Sequence, residues 1–169
     1  MPKANQRRVW LGASNRRTAR KSSTPTRNVR GKRSDHKQLG DRATLVWIDD
    51  YQPFLEIYKS VFECVGFNVL TASRGSIGLE LANSNPVDAV VVDYEMPELS
   101  GEEVARAVKS RYPKIPVVMC SGSLQVPDRV RVLVDAVCDK AGSRDHLLSA
   151  IQGVLQNRQN FRSATPVAA

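Results

Sequence analysis

Five short runs rich in β-branched residues recur along the chain, at 44–48, 68–70, 89–92, 117–120 and 136–138, and each leads into a stretch of helical period. Runs that are apolar on consecutive positions suit strands covered on both faces. Phe54, Tyr58, Phe62 and Val65 mark one face of a first helix, with Pro53 where a first-turn proline is tolerated. Gly78, Leu79 and Ala82 fit a second helix, and Val104 with Val108 a third. Leu147, Leu148, Ile151, Val154 and Leu155 form an apolar stripe on the last, with Ser143 as its N-cap and Asp145 in the first turn. The segment 124–134, interrupted by Pro127, has room for one or two turns. Strand–helix alternation of this kind predicts an α/β fold: a doubly wound five-stranded parallel sheet with right-handed crossovers and helices on both faces.

The alternation does not fill the chain. Of 169 residues, 1–42 carry 13 Lys/Arg against Asp35 and Asp41, a net of +11, while 43–169 carry 12 against 15 Asp/Glu, a net of −3, giving +8 in all. Only six scattered Met, Val, Leu or Trp residues lie before position 43. So little apolar surface cannot offset an ordering entropy of roughly 1–2 kcal/mol per backbone residue. We therefore expect a disordered basic arm at 1–42, a folded body at 43–156 and a disordered tail at 157–169. The arm's charge suits nucleic acid or an anionic membrane surface, with non-specific nucleic-acid affinity of about 10⁻⁴–10⁻⁶ M. Its Arg/Ser-rich character also resembles an organelle transit peptide. A solvated tail, or a stretch from a misassigned start codon, outweighs both, because only Trp10 offers a ring for base stacking.

No apolar run approaches the ~18 residues of a membrane span, and no secretory h-region opens the chain. Cys64, Cys120 and Cys138 sit in apolar runs and read as small buried hydrophobes in a reducing, cytoplasmic setting. With no Cys-x-x-Cys pair and only His36 and His146, a zinc site from such ligands is excluded. Glycine-rich phosphate loops are absent as well.

In open parallel sheets the ligand site lies beyond the carboxyl ends of the strands. Asp49 and Asp50 follow the first strand, Asp93 the third, Ser121 the fourth and Lys140 the fifth. Each alone is ordinary: Asp favours strand-end turns, Ser121–Gly122–Ser123 reads as a turn, and most lysines are solvated. Together they put three carboxylates, a hydroxyl and an ammonium on one rim. Crowded carboxylates call for a dication, and hard oxygen ligands suit Mg²⁺. Lysine and hydroxyl beside them can hold phosphoryl oxygens, which suggests phosphoryl transfer onto a carboxylate.

Asp49–Asp50, Asp93 with Met96–Pro97 and Gly101, then Ser121, then Lys140 resemble the receiver domain of two-component response regulators over about 43–156. The resemblance implies a flavodoxin-like sheet of order 2-1-3-4-5. It implies that Asp93 is the phosphoacceptor and Asp50 a direct Mg²⁺ ligand. Asp49 would act mainly through metal-bound water, the Glu95 carbonyl would complete the ligand set, and Ser121 and Lys140 would each bind a phosphoryl oxygen. It further implies a single-domain response regulator, not an enzyme beyond its own phosphorylation and dephosphorylation. Its phosphoryl group would come from a sensor histidine kinase or histidine phosphotransfer protein and its signal would pass to a downstream protein. Two departures bear on output: Val137 stands where the family usually has an aromatic, and Ala141 where it usually has a cis-proline. A non-proline cis bond costs roughly 2.5–4 kcal/mol, so a trans bond with a shifted loop, or strain, is expected. Competing readings are a Mg²⁺-dependent phosphohydrolase with an aspartyl-phosphate intermediate, whose D-x-D-x-[TV] spacing Asp49–Asp50–Tyr51–Gln52 breaks, and a nucleic-acid binder acting through the arm.

Deleting residues 1–42 is expected to leave the thermal unfolding midpoint nearly unchanged; a drop of many degrees in calorimetry would show that the arm packs on the body.

Overall fold

The computed structural model describes residues 42–122 and 126–163, with side chains to 160. The arm expected at 1–42 lies outside the described residues except for Arg42, as do 123–125 and 164–169. The elements run β1 (Thr44–Ile48), α1 (Gln52–Cys64), β2 (Asn68–Ala72), α2 (Gly75–Ser84), β3 (Ala89–Asp93), α3 (Gly101–Arg111), β4 (Val117–Ser121), α4 (Asp128–Arg131), β5 (Ala136–Asp139) and α5 (Arg144–Ser163). The strands are parallel in the order β2-β1-β3-β4-β5, as expected.

Strand alternation splits the apolar residues into two layers. Leu45, Trp47, Val91, Val118 and Cys120 face one side, where Leu55 and Phe62 of α1 and Leu147, Ile151 and Val154 of α5 cover them. Val46, Ile48, Val90, Val92, Val117 and Met119 face the other, where Val104, Ala105 and Val108 of α3 and Val130 of α4 meet them. Both faces are buried, which is why these strands read as continuous apolar runs. Trp47 anchors the first layer, stacked on Tyr58 at 4.5 Å between ring centroids and tilted against Phe62 at 5.0 Å. Each parallel strand runs into the same rim, so the residues just past β1, β3, β4 and β5 converge.

Local signals set most helix ends. Proline occupies the first turn of α1. Ser100 and Glu103 close a reciprocal capping box on α3, Glu103 N–H donating to Ser100 Oγ and Ser100 N–H to Glu103 Oε2. The Ser143 hydroxyl accepts the His146 N–H at the start of α5, and α4 is a single turn, Asp128–Arg131.

Three expectations are corrected. The buried stripe of α1 is Leu55 and Phe62 with Tyr58 partly covered, whereas Val65, past the helix end, is 48% exposed. Cys64 is exposed, while Cys120 and Cys138 are buried; at about 100° per residue Cys64 lies about 180° from Leu55, opposite the core. The last helix continues to Ser163, beyond the boundary expected at 156. Arg158 explains the extension: its guanidinium donates to the carbonyls of Val87 and Asp88 and pairs with the Asp88 carboxylate, tethering the extra turn to the loop before β3. A single arginine among polar residues leaves no hydropathy signal.

Candidate functional site

The rim is built from chain ends that the sheet forces together. Asp49 follows β1 directly and is fully buried; Asp93 closes β3 at 5% exposure; Ser121 closes β4 at 2%. Asp50, one residue further, is exposed. One carboxylate oxygen from each of Asp49, Asp50 and Asp93 lies within 4.8 Å of the others. Lys140, immediately after β5, sets its ammonium 2.6 Å from Asp49 Oδ2 and 2.9 Å from Asp93 Oδ2. All five predicted side chains therefore occupy the carboxyl edge. Glu95 differs: its side chain is exposed, and its backbone N–H donates to the Asp93 carboxylate.

Backbone contacts hold these positions. Tyr51 N–H donates to Asp49 Oδ1 at 3.0 Å, Tyr94 N–H to the Cys120 carbonyl at 2.8 Å, and Lys140 N–H to the Ser121 carbonyl at 2.9 Å. Gly101 packs so closely on Asp93 that a Cβ there would stand 2.1 Å from the Asp93 carbonyl oxygen. Since that obstacle is backbone, it cannot swing aside, and glycine is required for the loop from Asp93 to α3 to close. All peptide bonds among the described residues are trans, 140–141 included.

Burial pushes the Asp93 carboxyl above its ordinary range, the Asp49 charge adding to the effect while the Lys140 ammonium and the Glu95 N–H oppose it. Burial alone would lower Lys140, but its close contacts with the Asp49 and Asp93 carboxylates outweigh that and raise it. Two carboxylates and one ammonium leave a negative surplus, and Asp50 adds to it. Asp49 Oδ2 is buried with no well-aligned hydrogen-bond donor. Clustered hard oxygens of this kind fit a divalent cation such as Mg²⁺.

Phe54 is the residue that sequence reasoning misplaced. Its ring lies 5.4 Å from Lys140 Nζ and meets Tyr51 edge-on at 5.0 Å, so it covers the ammonium instead of joining the buried stripe of Leu55 and Phe62. An aromatic directly after Pro53 was the only available signal, and the helical period assigned it to the interior.

Lys140→Met in EDTA is expected to cost about 3–5 kcal/mol, because it leaves Asp49 and Asp93 buried without their counter-charge. Adding Asp93→Asn should recover part of that loss. Urea unfolding of the single and double variants checks this; a single-variant loss under about 1 kcal/mol would show that the ammonium does not hold the cluster.

The model of the response regulator receiver domain matches residues 45–152. Among curated relatives, the response regulator protein TodT of Pseudomonas putida is 30% identical over 134 residues, 77% of this chain and 59% of TodT. The chain thus spans about six-tenths of that relative's length. Among solved structures, a response regulator receiver domain protein from Clostridium thermocellum superposes with a TM-score of 0.66 at 27% identity, covering 70% of this chain and 98% of that one. The response regulator TrrA from Thermotoga maritima, solved in complex with Mg(2+)-BeF, shares the fold with a TM-score of 0.64 at 23% identity, covering 66% and 98%.

Proposed function

This chain belongs to the response regulator receiver family, and we propose that it accepts a phosphoryl group on Asp93 from a sensor histidine kinase or histidine phosphotransfer protein. The observation that carries the proposal is the Lys140 ammonium held 2.9 Å from Asp93 Oδ2 and 2.6 Å from Asp49 Oδ2, with the Asp50 carboxylate beside them. That TrrA of Thermotoga maritima, which shares the fold, was solved in complex with Mg(2+)-BeF supports a metal-dependent reading.

Asp49, Asp50 and Asp93, with the Glu95 carbonyl, would hold Mg²⁺. When bound, the ion neutralises the carboxylate surplus and the charge of the incoming phosphoryl group. The chain's own groups do the rest. A carboxylate oxygen of Asp93 attacks phosphorus; the phosphorus–nitrogen bond of the donor phosphohistidine breaks, and the imidazole nitrogen leaves with the bonding pair. Lys140 then exchanges its contact with Asp93 Oδ2 for a phosphoryl oxygen. The Ser121 hydroxyl, at the end of the neighbouring strand, donates to a second. Catalysis is mostly placement and charge compensation.

Output follows from the residues around Ser121. Val137 is partly buried against the second apolar layer, and a β-branched side chain with one preferred χ1 has little reach for a swing. The single turn of α4 is held from α3, Glu102 pairing with Arg129 at 3.2 Å and Arg106 at 2.8 Å. Phosphorylation therefore acts through the loops beside Asp93 and Ser121, making the protein a relay or a binder of partners at the rim.

Incubation with acetyl phosphate and Mg²⁺ is expected to add one phosphoryl group by intact mass. Asp93→Asn and chelation of Mg²⁺ should each abolish the gain; persistence of the gain in Asp93→Asn would overturn the assignment. Sedimentation with and without beryllofluoride, at matched concentration, should show no dimerisation through α4, β5 and α5. A dimer removed by substitutions in α4 would contradict this account of output.

A further inference from the structure

Lys140 is aimed by the turn that follows β5, and that turn is built on Asp139. The Asp139 Oδ1 accepts the Ala141 N–H at 2.8 Å, and the Asp139 carbonyl accepts the Gly142 N–H at 3.1 Å. Upstream, Lys140 N–H is fixed on the Ser121 carbonyl at 2.9 Å. The backbone of Lys140 is thus pinned on both sides, and its side chain runs from that point to Asp49 and Asp93. Gly142 lies close enough to the turn that a Cβ on it would stand 3.0 Å from the Asp139 carbonyl oxygen. A proline at 141 would have no N–H to give. Alanine leaves that donor in place, and the 140–141 bond is trans.

We propose that Asp139 is a positioning residue for phosphoryl transfer: by accepting the Ala141 N–H it closes a side-chain-capped turn that sends the Lys140 ammonium between Asp49 and Asp93. The physical reason is the short side chain. An aspartate or asparagine oxygen reaches the backbone N–H two residues on, mimicking a backbone turn, whereas one more methylene spoils that ring. Asp139 is half-buried and the bond itself is solvent-exposed, so what it supplies is the geometry of the turn. The inference rests on the phosphoacceptor reading of Asp93, but the aim of Lys140 can be measured without any phosphodonor.

The test compares the full chain with Asp139→Asn, which keeps the turn and loses the charge, and Asp139→Glu, which keeps the charge and loses the turn. Lys140 is acylated by an N-hydroxysuccinimide ester without Mg²⁺ or phosphodonor, and its labelling rate is read by peptide mass against exposed Lys59 in the same sample. Asp139→Glu should label Lys140 about three- to tenfold faster than the native chain, as the loss of one solvent-exposed hydrogen bond of ordinary net strength implies, with the Lys59 rate unchanged. Asp139→Asn should stay within about twofold of native. Phosphorylation by acetyl phosphate with Mg²⁺ should slow in Asp139→Glu and be preserved in Asp139→Asn. Equal labelling in all three proteins would overturn the proposal. So would the reverse order, with Asp139→Asn labelling fast and Asp139→Glu slow, since that would make charge the cause. If the native chain takes up no phosphoryl group, the phosphoacceptor reading fails instead, and the labelling ratios still decide what Asp139 does.

Discussion

One ammonium makes this rim foldable. Asp49 and Asp93 are both removed from water, and two buried carboxylates at neighbouring strand ends would repel without a counter-charge. Lys140 supplies it from the far side of the sheet edge, touching both. The arrangement is balanced rather than generous. Asp93 is still pushed upward by its burial and by Asp49, so the site keeps an unspent preference for more positive charge. A fold that sought stability alone would place apolar side chains here, since buried ion pairs seldom outperform them. Retaining the cluster is a structural cost that only its chemistry explains.

The sheet supplies the means of holding such a cluster. Its strands are parallel and covered on both faces by the two apolar layers, so their ends are fixed relative to one another. The order β2-β1-β3-β4-β5 puts β1 and β3 side by side, which brings Asp49 and Asp93 onto adjacent edges. Gly101 lets the loop after β3 fold back on the Asp93 backbone, and Phe54 covers Lys140 from α1. Charge, strand order and close approach are therefore one design, with the rigid layers below and the reactive groups above.

Most of this was readable in the sequence, for reasons particular to the residues. The strands announced themselves because burial on both faces demands uninterrupted Val, Ile and Leu. The site was legible because a doubly wound sheet must gather whatever follows its strands, so Asp49, Asp50, Asp93, Ser121 and Lys140 could be placed together before any contact was known. What escaped were features without periodic signal. The phase of α1 was misread because Phe54 and Val65 look like core residues, while Leu55 carries the burial and Cys64 faces outward. The extension of α5 was hidden because Arg158 acts through backbone carbonyls, and no hydropathy pattern encodes those. The turn at Asp139 depends on a main-chain donor that Ala141 merely permits.

The central claim is that Asp93, and not Asp49 or Asp50, receives the phosphoryl group. Borohydride reduces an aspartyl phosphate to homoserine, marking the acceptor within the native sequence. Peptide mass mapping of the phosphorylated, reduced chain should find homoserine at position 93 alone. Homoserine at position 49 or 50, or a phosphorylated chain with no reducible aspartate, would contradict the account.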